Sequence, residues 1–139
     1  MVITSVILML ALRPQDDVVT PAAGSPVRKA VLDALREKTK KVLKGKKVVF
    51  KVEHFKQQDD WVFFKGQGLK PDGGKFDYHG TDFQRAIDSD MFEDWCCGLF
   101  HRTKGKWKVV AWSWGGTDVS YSGWWNKYDA PKAIFPYSE

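Results

Sequence analysis

Hydrophobic positions along the chain follow a helical spacing first and a two-residue alternation afterwards. Val27, Ala30, Val31, Ala34 and Leu35 recur at intervals of three and four, with Val42 and Leu43 two turns further on, which paints one apolar stripe on a helix. Ser25 is a good N-cap and Pro26 suits the first helical position,. Gly45 fits a C-terminal stop, with the lysines before it at the negative end of the helix dipole,. The spacing predicts an amphipathic helix over 26–44.

The period then drops to two. In KKVVFKVEHFKQ, Val48, Phe50, Val52 and His54 share one face, and Val49, Lys51, Glu53 and Phe55 share the other,. Gln58-Asp59-Asp60 reads as a turn into a second strand, Trp61–Gly66, and Lys70-Pro71-Asp72-Gly73-Gly74 reads as a second turn,. Residues 75–94 are polar, acidic and weakly patterned; they predict a loop with a helical turn or two over Phe83, Ile87 and Met91-Phe92, which Thr81 could cap. Trp95–Thr103 is a third strand, Lys104-Gly105-Lys106 a hairpin turn, and Trp107–Trp114 a fourth strand that Gly115-Gly116 ends. An aromatic tail follows, with a short helix around Ser122–Tyr128 and then Ala130–Pro136.

One long N-terminal helix before four mostly antiparallel strands predicts an α+β fold with the helix across one sheet face, plus the C-terminal tail. The element order is similar to that of cystatin-like or nuclear-transport-factor-2-like cones, an analogy that carries no function. The expected domain organisation is an apolar segment and linker over 1–25 and a single α+β domain over 26–139.

Strict alternation on the fourth strand places Lys108, Val110, Trp112 and Trp114 on one face and Trp107, Val109, Ala111 and Ser113 on the other,. Five of the seven tryptophans lie between Trp107 and Trp125, yet this split denies them a continuous stacking row. Both faces are apolar enough to need cover. The helix covers one; the tail, a partner or a ligand must cover Trp112 and Trp114 on the other. Gly115-Gly116-Thr117-Asp118 reads chiefly as a turn tied by the Thr117 and Asp118 side chains, with an active-site aspartate as the competing reading,.

Val2–Leu12 is an apolar run too short to span a membrane, which needs about 20 residues, and of the length of a signal-peptide core,. It predicts export to the periplasm or the exterior, with Arg13–Ser25 as a linker. A buried N-terminal strand or helix is the competing reading, because no basic segment precedes the run.

Composition narrows the class. With 139 residues, 43% of them hydrophobic, the chain can form one domain with a filled core,. The net charge of +5 is unevenly spread. Nine basic and two acidic residues lie between Arg28 and Lys47, and six acids with one arginine between Asp77 and Asp94. The two segments could attract one another or simply be solvated. Nucleic-acid binding through the basic helix is a weaker reading, since lysine spread along a helix face is ordinary solvation.

No catalytic motif stands out. His54, on the inner face of the first strand, is a candidate base in a cone-fold pocket with Asp118 as its partner, against the reading of a satisfied rim histidine,. His79 and His101 lack metal-ligand spacing, so no metal or cofactor is expected,. Cys96 and Cys97 are adjacent and point to opposite faces of a strand, which predicts two reduced, partly buried thiols, with a vicinal redox switch as the competing reading,. The candidate pocket or interaction residues are His54, Trp112, Trp114 and Asp118.

VRKAVLDALR (27–36), DWVF (60–63), KPDG (70–73), WKVV (107–110), GTDV (116–119) and Trp125…Tyr128…Ala130-Pro131…Ile134-Phe135 together resemble a group of small exported bacterial proteins of undefined activity. The resemblance covers roughly 26–136; it implies export and brings no catalytic residues. The expected function is a small exported non-catalytic binding or interaction domain whose partner is a protein or cell-envelope component. The alternative is a cone-fold enzyme or small-ligand binder with a pocket between helix and sheet.

Overall fold

The computed structural model describes residues 17–136. The apolar run 2–12 and the start of the linker lie outside them. Helix α1 (Pro26–Thr39) opens as its sequence dictates, with the Ser25 hydroxyl accepting from the Arg28 amide at 3.3 Å and Pro26 in the first turn. Four strands follow in a meander: β1 (Val49–Gln58), β2 (Trp61–Leu69), β3 (Cys96–Thr103) and β4 (Lys106–Trp114), ordered β1-β2-β3-β4 and antiparallel throughout. A short helix α2 (Gln84–Asp88) interrupts the acidic loop, and α3 (Trp124–Lys127) with a 3₁₀ turn (Lys132–Ile134) shapes the tail.

The helix is 14 residues long, shorter than the hydrophobic stripe suggested. After Thr39 the chain continues in hydrogen-bonded turns, Leu43 N to Thr39 O at 3.1 Å and Gly45 N to Lys40 O at 2.9 Å, until Lys44 and Gly45 take positive φ. The fully buried Thr39 returns its hydroxyl to the Leu35 carbonyl at 2.8 Å, a local bond that competes with regular helix geometry. Leu43 is nonetheless buried, so the apolar stripe is right and only the helical ladder stops early.

Two bulges reverse the faces expected for β1 and β4. On β1 the register steps from Val52↔Gly66 to His54↔Lys65, leaving Glu53 as an extra residue. One extra residue shifts the parity of all that follows. Val48, Phe50, Val52 and Phe55 therefore share the α1 side, while His54 turns to the other side against Phe63, with ring centroids 5.9 Å apart. On β4, Phe100↔Val109 is followed by Leu99↔Ala111, so Val110 is the extra residue. Trp107, Val109, Trp112 and Trp114 all join the core beneath α1, and Val110 joins the opposite one. Trp107 thus shares a face with Trp112 and Trp114, contrary to strict alternation.

Two cores result. On the α1 side, Val31 and Leu35 of the helix pack with Leu43, Phe55, Val62, Phe64, Cys96, Phe100 and Trp114. Behind the sheet the tail supplies Tyr121, Ala130, Ile134 and Phe135 against Phe63, Cys97 and Leu99. Gly66 and Gly98 leave room for the Phe64 and Phe100 rings, since an added Cβ would sit 2.8 and 2.7 Å from them. The described end of the linker belongs to the domain. Val19 and Gln57 exchange two backbone hydrogen bonds at 2.8 and 2.9 Å, and the Arg28 guanidinium donates to the Pro21 carbonyl at 2.7 Å.

Candidate functional site

Trp114, left without cover by the sequence, is covered by the acidic loop. Its ring lies 5.8 Å from Phe83 in a stacked arrangement and 5.8 Å from Phe50, and it is 7% exposed. Its indole N–H donates to the Tyr78 hydroxyl at 3.0 Å, and that hydroxyl donates to Asp94 Oδ1 at 2.5 Å. Gln67 Nε2 donates to Asp94 Oδ2 at 2.9 Å. Burial and the Asp94 carboxylate hold the Tyr78 phenol far above its ordinary value, which keeps it a donor. Trp112 is half-buried in the same core. Neither tryptophan forms an open platform.

Among the described residues no hydrogen bond joins His54 to Asp118, and His54 is not among the residues that line the pocket at Asp118. His54 is half-buried, and its Nε2 donates to the Ile134 carbonyl at 2.6 Å. Burial above all, then the Lys56 and Lys65 charges, push its pKa below the ordinary value, while the Ile134 bond opposes them. Asp118 is exposed and lines an open pocket of about 310 Å³ with Lys65, Glu93, Trp95 and Thr117. Among the described residues its carboxylate takes no side-chain hydrogen bond and no ion pair, so neither Thr117 nor Asp118 ties the turn. Trp95 does: its carbonyl accepts from Gly115 N at 2.8 Å and its indole donates to the Gly116 carbonyl at 2.6 Å. Thr81 accepts from Phe83 N at 3.3 Å and so ties the turn ahead of α2 rather than capping the helix.

The two cysteines are free and fully buried, Cys96 in the α1-side core and Cys97 in the tail-side core. Burial pushes the Cys97 thiol up to about 12 and Cys96 well above its usual range. Burial and the raised pKa both disfavour the thiolate that a nucleophilic cysteine needs. Among the described residues no cluster of histidine, cysteine and carboxylate side chains has the geometry of a metal site, and no helix is long and apolar enough to cross a membrane.

The segregated charges meet in part. Lys44 pairs with Asp82 at 2.9 Å, and Lys46 reaches Asp77 at 3.8 Å and donates to the Asp77 carbonyl at 2.8 Å. Lys38, Lys40, Lys41 and Lys47 remain exposed and without a carboxylate partner among the described residues. A groove of about 750 Å³ between the end of α1 and the start of β1 is lined by Arg36, Lys40, Lys46 and Lys47, by the carboxylates Asp33 and Glu37, and by Leu43, Val48 and Pro71. Sequence reasoning found the lysines but missed the groove, because Pro71 reaches it from a distant turn.

No family model matches the chain, and no curated protein or solved structure is significantly similar to it.

Proposed function

We propose that this protein is a small exported interaction domain that docks an anionic protein or cell-envelope component on the groove between α1 and β1. The observation that carries this reading is the excess of positive charge there: among the described residues the acidic loop pairs with Lys44 and Lys46, while Lys40 and Lys47 line the groove beside Leu43, Val48 and Pro71 without a carboxylate partner. A cationic rim around an apolar floor steers an acidic partner and then buries its apolar side chains. Export rests on the apolar run 2–12 and on the resemblance to small exported bacterial proteins.

The bulged meander on one helix supports a cystatin-like or nuclear-transport-factor-2-like cone. The space that such a cone would open between helix and sheet is filled by Phe50, Phe64, Phe100 and Trp114, which favours docking on the outside over ligand binding within.

The test compares wild type with Lys40→Glu/Lys47→Glu in calorimetric titrations with polyglutamate and in capture from envelope extract. Loss of both by the variant, with unchanged circular dichroism, supports the groove; equal capture by the two proteins overturns it. N-terminal sequencing of the native protein tests export, and an intact Met1 on a cytosolic product refutes it.

A further inference from the structure

A second pocket lies on the acidic side of the molecule and carries chemistry of the opposite sign. It measures about 410 Å³ and opens between Phe76-Tyr78, α2 and Phe92, with Gln84 and Ile87 on the α2 side and Asp94 among its lining residues. Its walls are aromatic: Tyr78 lies 4.8 Å from both Phe76 and Phe92 between ring centroids. Asp94 is half-buried and is held from both oxygens by neutral donors, the Tyr78 hydroxyl and the Gln67 amide. Among the described residues it has no cationic partner. Lys75 and His79 reach the rim, and the Asp77 carboxylate there accepts from the His79 amide at 3.0 Å.

We infer that this pocket binds a small organic ammonium, its charge on the Asp94 carboxylate and its apolar body against the Phe76, Tyr78 and Phe92 rings that line it. A carboxylate oriented by two neutral hydrogen bonds has spare lone pairs for a further donor. Electron-rich ring faces attract the same cation, and the volume falls within the range of small-molecule sites. The inference is independent of the docking groove, whose ligand carries the opposite charge.

The experiment titrates the protein with benzylammonium, benzyl alcohol and benzoate, following the Trp114 indole and the amides of residues 76–94 by NMR. Benzylammonium is expected to perturb these signals and to bind at least about tenfold more tightly than the neutral and anionic isosteres. Asp94→Asn is expected to abolish that preference. Ile87→Trp, which crowds the pocket from α2 and leaves the Asp94 network untouched, is expected to weaken binding of benzylammonium even should Asp94→Asn fail to fold. Equal binding of all three compounds, shifts confined to other residues, no binding by the wild-type protein, or unchanged affinity in Ile87→Trp overturns the inference.

Discussion

The Trp114 indole N–H donates to the Tyr78 hydroxyl at 3.0 Å, across 36 residues of sequence and inside the protein. This bond joins the last strand to the acidic loop and makes that loop part of the core rather than a surface excursion. Tyr78→Phe leaves the indole donor buried without a partner and takes one donor from Asp94. The expected cost is about 1–3 kcal/mol, read as a lower urea midpoint at unchanged slope.

Gly68 faces the same ring. A Cβ there would lie 2.6 Å from the Trp114 six-membered ring and 3.1 Å from Val48. The bulky indole, wedged among Phe50 and Phe83, has little room to retreat. Gly68→Ala is expected to destabilise by about 1–3 kcal/mol through overpacking and to shift Trp114 fluorescence, with thermal unfolding as the measurement.

His54 gives stability a pH dependence. Burial first, then Lys56 and Lys65, hold its folded pKa below the unfolded value of about 6.5,. Between those two values the unfolded chain binds more protons, so stability rises with pH there and falls as the solution is acidified below about 6.5. His54→Gln, which can keep a donor for the Ile134 carbonyl, is expected to flatten that part of the profile. Urea unfolding between pH 5 and 8 on both proteins is the check; equal slopes refute it.

Cys96 and Cys97 are expected to resist thiol reagents in the native state, because both are fully buried and the Cys97 thiol is pushed up to about 12. A disulfide-exchange dye at pH 8 should titrate neither thiol in the folded protein and both in denaturant. Rapid labelling of either one in native buffer counts against the two-core arrangement.

Much of the architecture was legible in local chemistry. Ser25-Pro26 marks the start of α1, and the hairpin turns show in Asp59-Asp60 and in Lys104-Gly105, where Lys104 and Gly105 both take the positive φ that a tight hairpin demands,. The charge segregation was visible too, and with it the lysines of the groove. The site residues fared differently. His54 was assigned to the wrong face, and the turn at Asp118 is tied by Trp95 instead of by its own side chains. Asp94 and Tyr78 went unnoticed because nothing local marks two loop residues whose partners, Gln67 for Asp94 and Trp114 for Tyr78, lie on strands distant in the chain.

The sequence by itself determined the order of elements, their starts and turns, and the separation of charge, since caps, glycines and periodicity act over a few residues. Tertiary structure decided which face each side chain meets. The extra residues Glu53 and Val110 are tolerated because neighbouring strands and rings pack around them, and each changes the parity of its strand. That parity puts Trp107, Trp112 and Trp114 beneath α1, sends His54 to the tail, and leaves Trp114 to be closed by Tyr78 and Phe83, contacts whose energy comes from packing across the fold and not from neighbours in the chain.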